Sequence, residues 1–186
     1  FLKRKVEYLQ NHPKIPFVIA KADLSFDDDF VGNRKVAQNY ISKNPIDDYL
    51  KFRLIFLTGG PLFRRNIFEE SGLFNLRLKR HQEWELYFRV ILNYPNWGII
   101  EEPSFKYFFH SNSITSSFQE KSKAVDSELI LFQEVLKLPG NKFKNQISKP
   151  TRILLALKYW IVATKYLRFK YSMQFLRKLF IELSKA

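Results

Sequence analysis

The alternation of apolar and polar residues divides the chain into short predicted helices and strands. Phe1–Gln10 predicts an amphipathic helix, whose apolar face comprises Leu2, Val6 and Leu9. The apolar run Ile15–Ala20 then predicts a strand. The polar, turn-rich stretch from residue 23 to residue 44 is interpreted as a loop or irregular hairpin.

The middle of the chain is punctuated by proline and glycine. Pro45 opens a predicted helix that continues to Phe56, and Thr58-Gly59-Gly60-Pro61 forms a sharp break after it. Backbone amides in such a break can face a ligand. An extended piece at residues 62–63 and a short helix over residues 65–71, ended by Gly72, are expected next.

The clearest helical periodicity lies in Gln82–Asn93. Trp84, Tyr87, Phe88 and Ile91 follow an i, i+3, i+4, i+7 pattern, which predicts one face packed in the core. Beyond it we expect strands at residues 99–100 and 104–110, an amphipathic helix over 121–138, a linker to residue 150 and a basic helical tail.

Composition narrows the class of protein. With 186 residues and 46% hydrophobic residues, the chain can bury a core as one domain with an appendage. The 17% aromatic share indicates either a well-packed interior or an apolar docking surface. Cysteine is absent, which excludes disulfides and thiolate chemistry within the chain.

The net charge of +13 is unevenly distributed. Residues 151–186 hold eight basic residues against one acidic residue, a net charge of +7. Within this tail, residues 169, 173, 176, 180 and 183 form an apolar stripe flanked by Lys and Arg. That pattern suits an anionic membrane surface, and packing of the stripe against the domain is an equal alternative.

Two carboxylates open the predicted helix at Gln82–Asn93. Glu83 lies off the apolar stripe in the first turn, where the helix dipole favours an acid, so an ordinary helix-start role is one reading. Glu85 and Arg89 are four residues apart and are expected to pair on the surface. His110 ends a predicted strand, where a lone histidine is commonly a surface or capping group.

These segments together resemble an inverting nucleotide-sugar glycosyltransferase of the GT-A type, family 2. The resemblance rests on the loop Gly72–Leu78 leading into Gln82–Arg89, and on the aromatic strand Ser104–His110 ending in His-Ser-Asn-Ser. It covers about residues 1–115. The chain has Glu83 where the family usually has Asp, and Asn75 where its loop commonly has Asp.

The resemblance implies specific roles for individual residues. Glu83 falls on the catalytic base, with Glu85 the other acid to consider. His110 falls near the nucleotide diphosphate and its divalent metal, Mn or Mg, and is expected to complete the metal shell or contact a phosphate. The residues implied in substrate binding are Thr58, Gly59 and Gly60 at the mouth of the acceptor pocket, with Gln82 and Trp84 beside the base.

The triple acid Asp27-Asp28-Asp29 is not assigned to the metal-binding Asp-x-Asp motif of this family. That motif is expected immediately upstream of the segment resembling residues 1–10. We therefore expect the nucleotide-binding half to be missing from this chain, which can leave the fragment inactive alone.

The implied fold is α/β. Residues 1–118 would form the acceptor-side half of a Rossmann-like GT-A domain, and residues 119–186 a helical C-terminal extension with the basic amphipathic tail. The expected location is cytoplasmic, peripheral on the inner face of the membrane.

The implied function is a hexosyltransferase in surface polysaccharide synthesis. Its expected partners are a nucleotide-sugar donor, a saccharide or lipid-linked acceptor and an anionic membrane surface. The alternative is a non-catalytic basic module for membrane or nucleic acid. Nucleic acid is the less favoured partner, because the basic groups concentrate on a tail with an apolar stripe.

Overall fold

The structure is a computed structural model that describes residues 2–28, 38–110 and 146–165, together with Ser127 and Ile130. The chain divides into two compact units. The sheet unit comprises Phe1–Phe74 and Glu83–Phe118, and the second unit comprises Asn75–Gln82 and Gln119–Ala186.

The described part of the chain contains five helices and three strands. In order they are α1 (Leu2–Asn11), β1 (Phe17–Phe26), α2 (Pro45–Leu50), β2 (Pro61–Phe63), α3 (Ile67–Ser71), α4 (Gln82–Asn93), β3 (Gly98–Phe109) and α5 (Lys149–Lys165). The three strands form one sheet in the order β2-β1-β3. β1 pairs antiparallel with β2 and parallel with β3, so the sheet is mixed and the expected α/β class is confirmed.

β1 is longer than the sequence predicted. It continues to Phe26, so residues 23–26, which were expected to begin a loop, belong to the strand. The cause is pairing with β3, which matches Asp23 with Lys106 and Phe26 with Phe109. Hydrogen bonds to a neighbouring strand therefore override the polar character of this stretch.

β3 joins the two strands that were expected separately. Its register against β1 shifts between the Ala20–Ile100 pair and the Ala22–Phe105 pair, which leaves extra residues of β3 without a partner position. Pro103 lies in this irregularity, where a residue that cannot donate a ladder hydrogen bond is tolerated.

α1 buries a different face from the one expected. Leu9 is buried, but Leu2 and Val6 are 54% and 39% exposed, and the other buried residue of α1 is Lys5. Leu9 packs with Val18, Ala20 and Ile100 of the two parallel strands, and Tyr8 packs against the same cluster. A lysine four residues before a core leucine thus faces the sheet.

The helix expected over residues 45–56 ends at Leu50. Phe52 has a φ of 59°, a left-handed conformation that interrupts a right-handed helix. The chain then continues irregularly to Phe56, whose ring is buried in an aromatic core. Its neighbours, at ring-centroid distances of 5.3 to 6.2 Å, are Phe17, Tyr40, Tyr49, Tyr87 and Trp97. Much of the aromatic share therefore serves the interior.

In the second unit, α5 begins at a serine cap. The Ser148 hydroxyl accepts the Thr151 N–H at 3.4 Å, and Leu155 and Tyr159 are buried on one face of the helix. The helix expected over 121–138 lies outside the described residues apart from Ser127 and Ile130, and the stripe over 169–183 lies wholly outside them. None of the described helices is long and apolar enough to cross a membrane.

Candidate functional site

The Thr58-Gly59-Gly60 segment forms a tight turn between the aromatic core and β2. The Gly60 N–H donates to Leu57 O at 2.7 Å and closes the turn. Gly60 O accepts the Ala20 N–H at 3.2 Å, which ties the turn to β1. The expected break is present, but the Gly60 amide is used by the turn itself.

Both glycines are required by close neighbours rather than by left-handed backbone. A Cβ on Gly59 would lie 2.8 Å from the Phe105 ring, and one on Gly60 would lie 3.0 Å from Leu57 O. Backbone and ring therefore pack directly against each other at Gly59. Any larger residue there would displace the turn from β3.

Lys5 lies beneath this turn with only 1% of its surface exposed. Its Nζ donates to Gly59 O at 2.8 Å and also to Gly60 O, and it lies 5.5 Å from the centroid of the Phe105 ring. Burial lowers the pKa of the Lys5 amine from 10.5 to about 8, because desolvation penalises the charged form.

Tyr87 holds the first residue of the same turn. Its hydroxyl donates to Thr58 O at 3.4 Å, so the carbonyls of Thr58, Gly59 and Gly60 all accept from buried side chains. A planar trans peptide directs its C=O and N–H to opposite sides. The Gly59 N–H therefore points away from Tyr87, and Thr58 is exposed.

Glu83 lies close to this arrangement in the first turn of α4. Burial is the main cause that raises the pKa of Tyr87, and the nearby Glu83 carboxylate raises it further. The pKa of Tyr49 is also raised, first by burial, then by Tyr87, then by Glu83. The half-buried Glu83 thus shares the surroundings of Tyr87 with the 58–60 turn.

Glu85 has a different role from Glu83. Its two carboxylate oxygens accept from Arg89 Nε at 2.7 Å and Nη2 at 2.8 Å. The expected pairing is confirmed, but it is not on the surface, because the Glu85 side chain is 6% exposed and that of Arg89 21%. Both oxygens of this buried carboxylate are therefore engaged by one guanidinium.

Trp84 belongs to an aromatic stack. Its ring lies 5.2 Å from Tyr49, 5.3 Å from Phe52 and 5.9 Å from Phe88, with interplanar angles of 23° or less. The indole Nε1 is buried and makes no hydrogen bond to the described part of the chain. Tyr49 links the stack to α4, since its hydroxyl donates to Trp84 O at 3.2 Å.

Gln82, the remaining residue expected at the substrate, begins α4 and belongs to the second unit. Its Nε2 donates to Leu78 O at 3.2 Å within that unit. The amide side chain therefore supports the end of its own loop.

His110 lies at a different part of the sheet from the 58–60 turn. It follows Phe109, which pairs with Phe26 at the end of β1, whereas the turn bonds to Ala20. Six residues of strand separate these points by about 20 Å. The His110 ring stacks on Phe108 at 5.8 Å, and the Asp27 N–H donates to Phe109 O at 2.8 Å, so Asp27 and His110 follow paired positions.

No cluster of three or more potential metal ligands occurs among the residues that the structure describes. His110 and Asp27 share the carboxyl edge of the parallel strands, but they do not form such a cluster. The metal role of His110 stays a prediction.

The sequence reasoning missed Lys5, Tyr49 and Tyr87 as parts of the site. Tyr87 could have been found, because it lies four residues after Glu83 on the same helix and so on the same side. Tyr49 and Lys5 lie on other helices, and no local sequence pattern identifies them as parts of the site. Lys5 in particular lies outside the apolar face of Leu2, Val6 and Leu9 that the sequence predicted for α1.

The arrangement brings a half-buried carboxylate, two tyrosine hydroxyls and a glycine turn into one part of the sheet unit. Comparisons with protein-family models, with curated proteins and with solved structures found no match.

Proposed function

We propose that this chain is the acceptor-side part of an inverting glycosyltransferase with a Rossmann-like GT-A domain of family 2. It would transfer a hexose from a nucleotide-diphospho-sugar to a hydroxyl of a saccharide or lipid-linked acceptor, in surface polysaccharide synthesis. Glu83 is the general base in this proposal. The 58–60 turn lines the acceptor side.

The observation that carries the proposal is the contrast between the two acids of α4. Glu85 is committed to Arg89, whereas Glu83 lies half-buried beside Tyr87 and the turn that Tyr87 holds. A general base needs a carboxylate that can reach a substrate hydroxyl and is not neutralised by a fixed cation. Of the two acids that the sequence left open, Glu85 is bound by such a cation, which supports Glu83 as the base.

The chemistry of the chain's own residues is limited to the acceptor. Glu83 would take the proton of the attacking hydroxyl while that oxygen forms its bond to the anomeric carbon, with the donor diphosphate leaving from the opposite face. The exposed Thr58 side chain and the Gly59 N–H, which points away from Tyr87, would orient the acceptor by hydrogen bonds. The family resemblance assigns the leaving diphosphate to Mn or Mg, and the described residues hold no ligand cluster for such an ion.

The test is Glu83→Gln in the full-length protein. The amide keeps the size of the side chain and removes the proton acceptor, so kcat should fall by about 10²-fold or more with little change in donor affinity. Glu69→Gln is the matched control, because Glu69 is an exposed acid on α3. Near-normal turnover of Glu83→Gln would exclude Glu83 as the base.

Peripheral contact with an anionic membrane is proposed for the second unit. On α5, Leu157, Trp160 and Ile161 are 40%, 38% and 53% exposed at i, i+3 and i+4 spacing, so they share one face. The region from residue 151 carries a net charge of +7. Exposed apolar residues beside basic charge favour an interfacial helix over one that only packs on protein.

Flotation with phosphatidylglycerol and phosphatidylcholine vesicles tests this contact. Binding should require the anionic lipid and weaken with salt. Replacing Leu157 and Ile161 together by Glu should weaken it by at least about tenfold, because both apolar side chains would lose their burial in the interface. Gln146→Glu, at an exposed position before α5, controls for added negative charge.

A further inference from the structure

The support beneath the 58–60 turn is unusual for a lysine. A long cationic side chain normally keeps its ammonium in water, and lysine is almost never fully buried without a partner. Lys5 instead directs its amine into the sheet unit, where it donates to the carbonyls of Gly59 and Gly60. These two carbonyls belong to consecutive residues of the same turn.

The same piece of backbone is confined on its other sides. The Phe105 ring packs against Gly59, the Ala20 N–H donates to Gly60 O, and Tyr87 donates to Thr58 O. Among these hydrogen bonds between described residues, the one that Gly59 O accepts comes from Lys5. The Gly59–Gly60 peptide is therefore held at its N–H by Leu57 O and at its carbonyl by Lys5 of α1, which is more than fifty residues away in sequence.

We propose that Lys5 is a positioning residue of the acceptor site, holding the carbonyls of Gly59 and Gly60 inward so that the outer face of the turn is presented to the acceptor. The effect of Lys5 on the conformation of the turn does not depend on the proposed function. Its consequence for acceptor binding rests on the proposed function. Lys5 touches neither substrate nor reacting atoms in this role.

Hydrogen exchange in Lys5→Met measures the positioning without any assay of activity. Methionine keeps an unbranched side chain as far as the ε position and removes every donor. The reporter is the Gly60 amide, which closes the turn onto Leu57 O, and the internal control is the Tyr94 amide, which bonds to Val90 O in α4. Gly60 should exchange about tenfold faster, as expected for the loss of a hydrogen bond, while Tyr94 is unchanged. Equal acceleration of both amides, or of neither, would overturn the proposal.

The amine can be restored chemically at position 5 alone, because the chain contains no other cysteine that the reagent would alkylate. Lys5→Cys, alkylated with 2-bromoethylamine while unfolded and then refolded, regains an amine at the same distance from the backbone. Slow exchange of Gly60 should return with it. An alkylated chain that folds but keeps fast exchange would contradict the role of the amine.

The wild-type chain provides a test that does not depend on a variant folding. A long-range NMR correlation through hydrogen bonds should connect the Lys5 Nζ with the carbonyl carbons of Gly59 and Gly60. Absence of both correlations, with other hydrogen-bond correlations present, would also overturn the proposal.

Acceptor kinetics in the full-length protein then separate this inference from the proposed function. Lys5→Met should raise the KM for acceptor while changing kcat and the KM for donor little. If the turn loosens but the acceptor KM is unchanged, the link to acceptor binding is wrong. If the wild-type protein transfers no sugar, the proposed function fails, and the exchange experiment still decides whether Lys5 positions the turn.

Discussion

Two glycine turns in the sheet unit are held in the same way but by cations in different surroundings. In the 58–60 turn, Lys5 donates to Gly59 O and Gly60 O. In the turn after α3, Arg89 donates to Ser71 O and, at 2.6 Å, to Leu73 O, on either side of Gly72. Each turn thus has its conformation fixed by a side chain from a helix distant in sequence.

The difference lies in the charge of the two cations. Arg89 is paired bidentately with Glu85, and a guanidinium keeps its proton at any ordinary pH. Burial lowers the pKa of the Lys5 amine to about 8, so the charge of this side chain changes near that pH. The charge of the first side chain is permanent, and the charge of the second changes with pH.

The Arg89 support should show the largest effect on stability. Glu85→Ala leaves the Arg89 guanidinium partly buried without its carboxylate, and it should lower the free energy of unfolding by about 3 kcal/mol or more. Urea unfolding measures this loss. Glu69→Ala, an exposed acid removed from α3, should cost less than about 0.5 kcal/mol.

A double-mutant cycle sharpens this prediction. If the cost of Glu85→Ala comes from the unpaired guanidinium, adding Arg89→Met should recover part of it, because no buried charge is then left behind. The recovery should be incomplete, since Met cannot donate to Ser71 O and Leu73 O. Strictly additive losses would show that the two side chains stabilise the fold independently.

The two turns also show what the sequence could and could not predict. The bounds of α4 and the Glu85–Arg89 pair follow from local periodicity and i, i+4 spacing, and both are present. Gly72 was correctly expected to end α3, where it has a φ of 72°. These features depend on neighbours within one or two helical turns.

Features set by distant neighbours were not predicted. The inward face of α1 was assigned to Leu2, Val6 and Leu9, because hydrophobicity says nothing about a lysine whose amine finds carbonyls on another part of the chain. The candidate site could be predicted only in part, for the same reason. Glu83 and the glycine turn were identified from their residues, but the tyrosines that join them come from the folded arrangement.

The titration of Lys5 should appear as a pH-dependent change in stability. The folded chain binds this proton with a pKa of about 8 and the unfolded chain with the ordinary value of 10.5. Between these values the unfolded chain holds more protons, so the free energy of unfolding rises with pH, by up to about 1.4 kcal/mol per pH unit. The stabilisation is therefore present above pH 10.5 and is lost as pH falls through 8.

Urea unfolding of the wild type and Lys5→Met at about pH 7 to 10 isolates this contribution, because every other titrating group is common to both chains. The difference in stability between them should change above the Lys5 pKa of about 8, with the wild type gaining on the variant. At still higher pH both should weaken together, since burial raises the pKa of Tyr40 to about 12 and also raises those of Tyr49 and Tyr87, so the unfolded chain loses these protons first. Parallel curves across this range would mean that the Lys5 support, like that of Arg89, keeps a fixed charge.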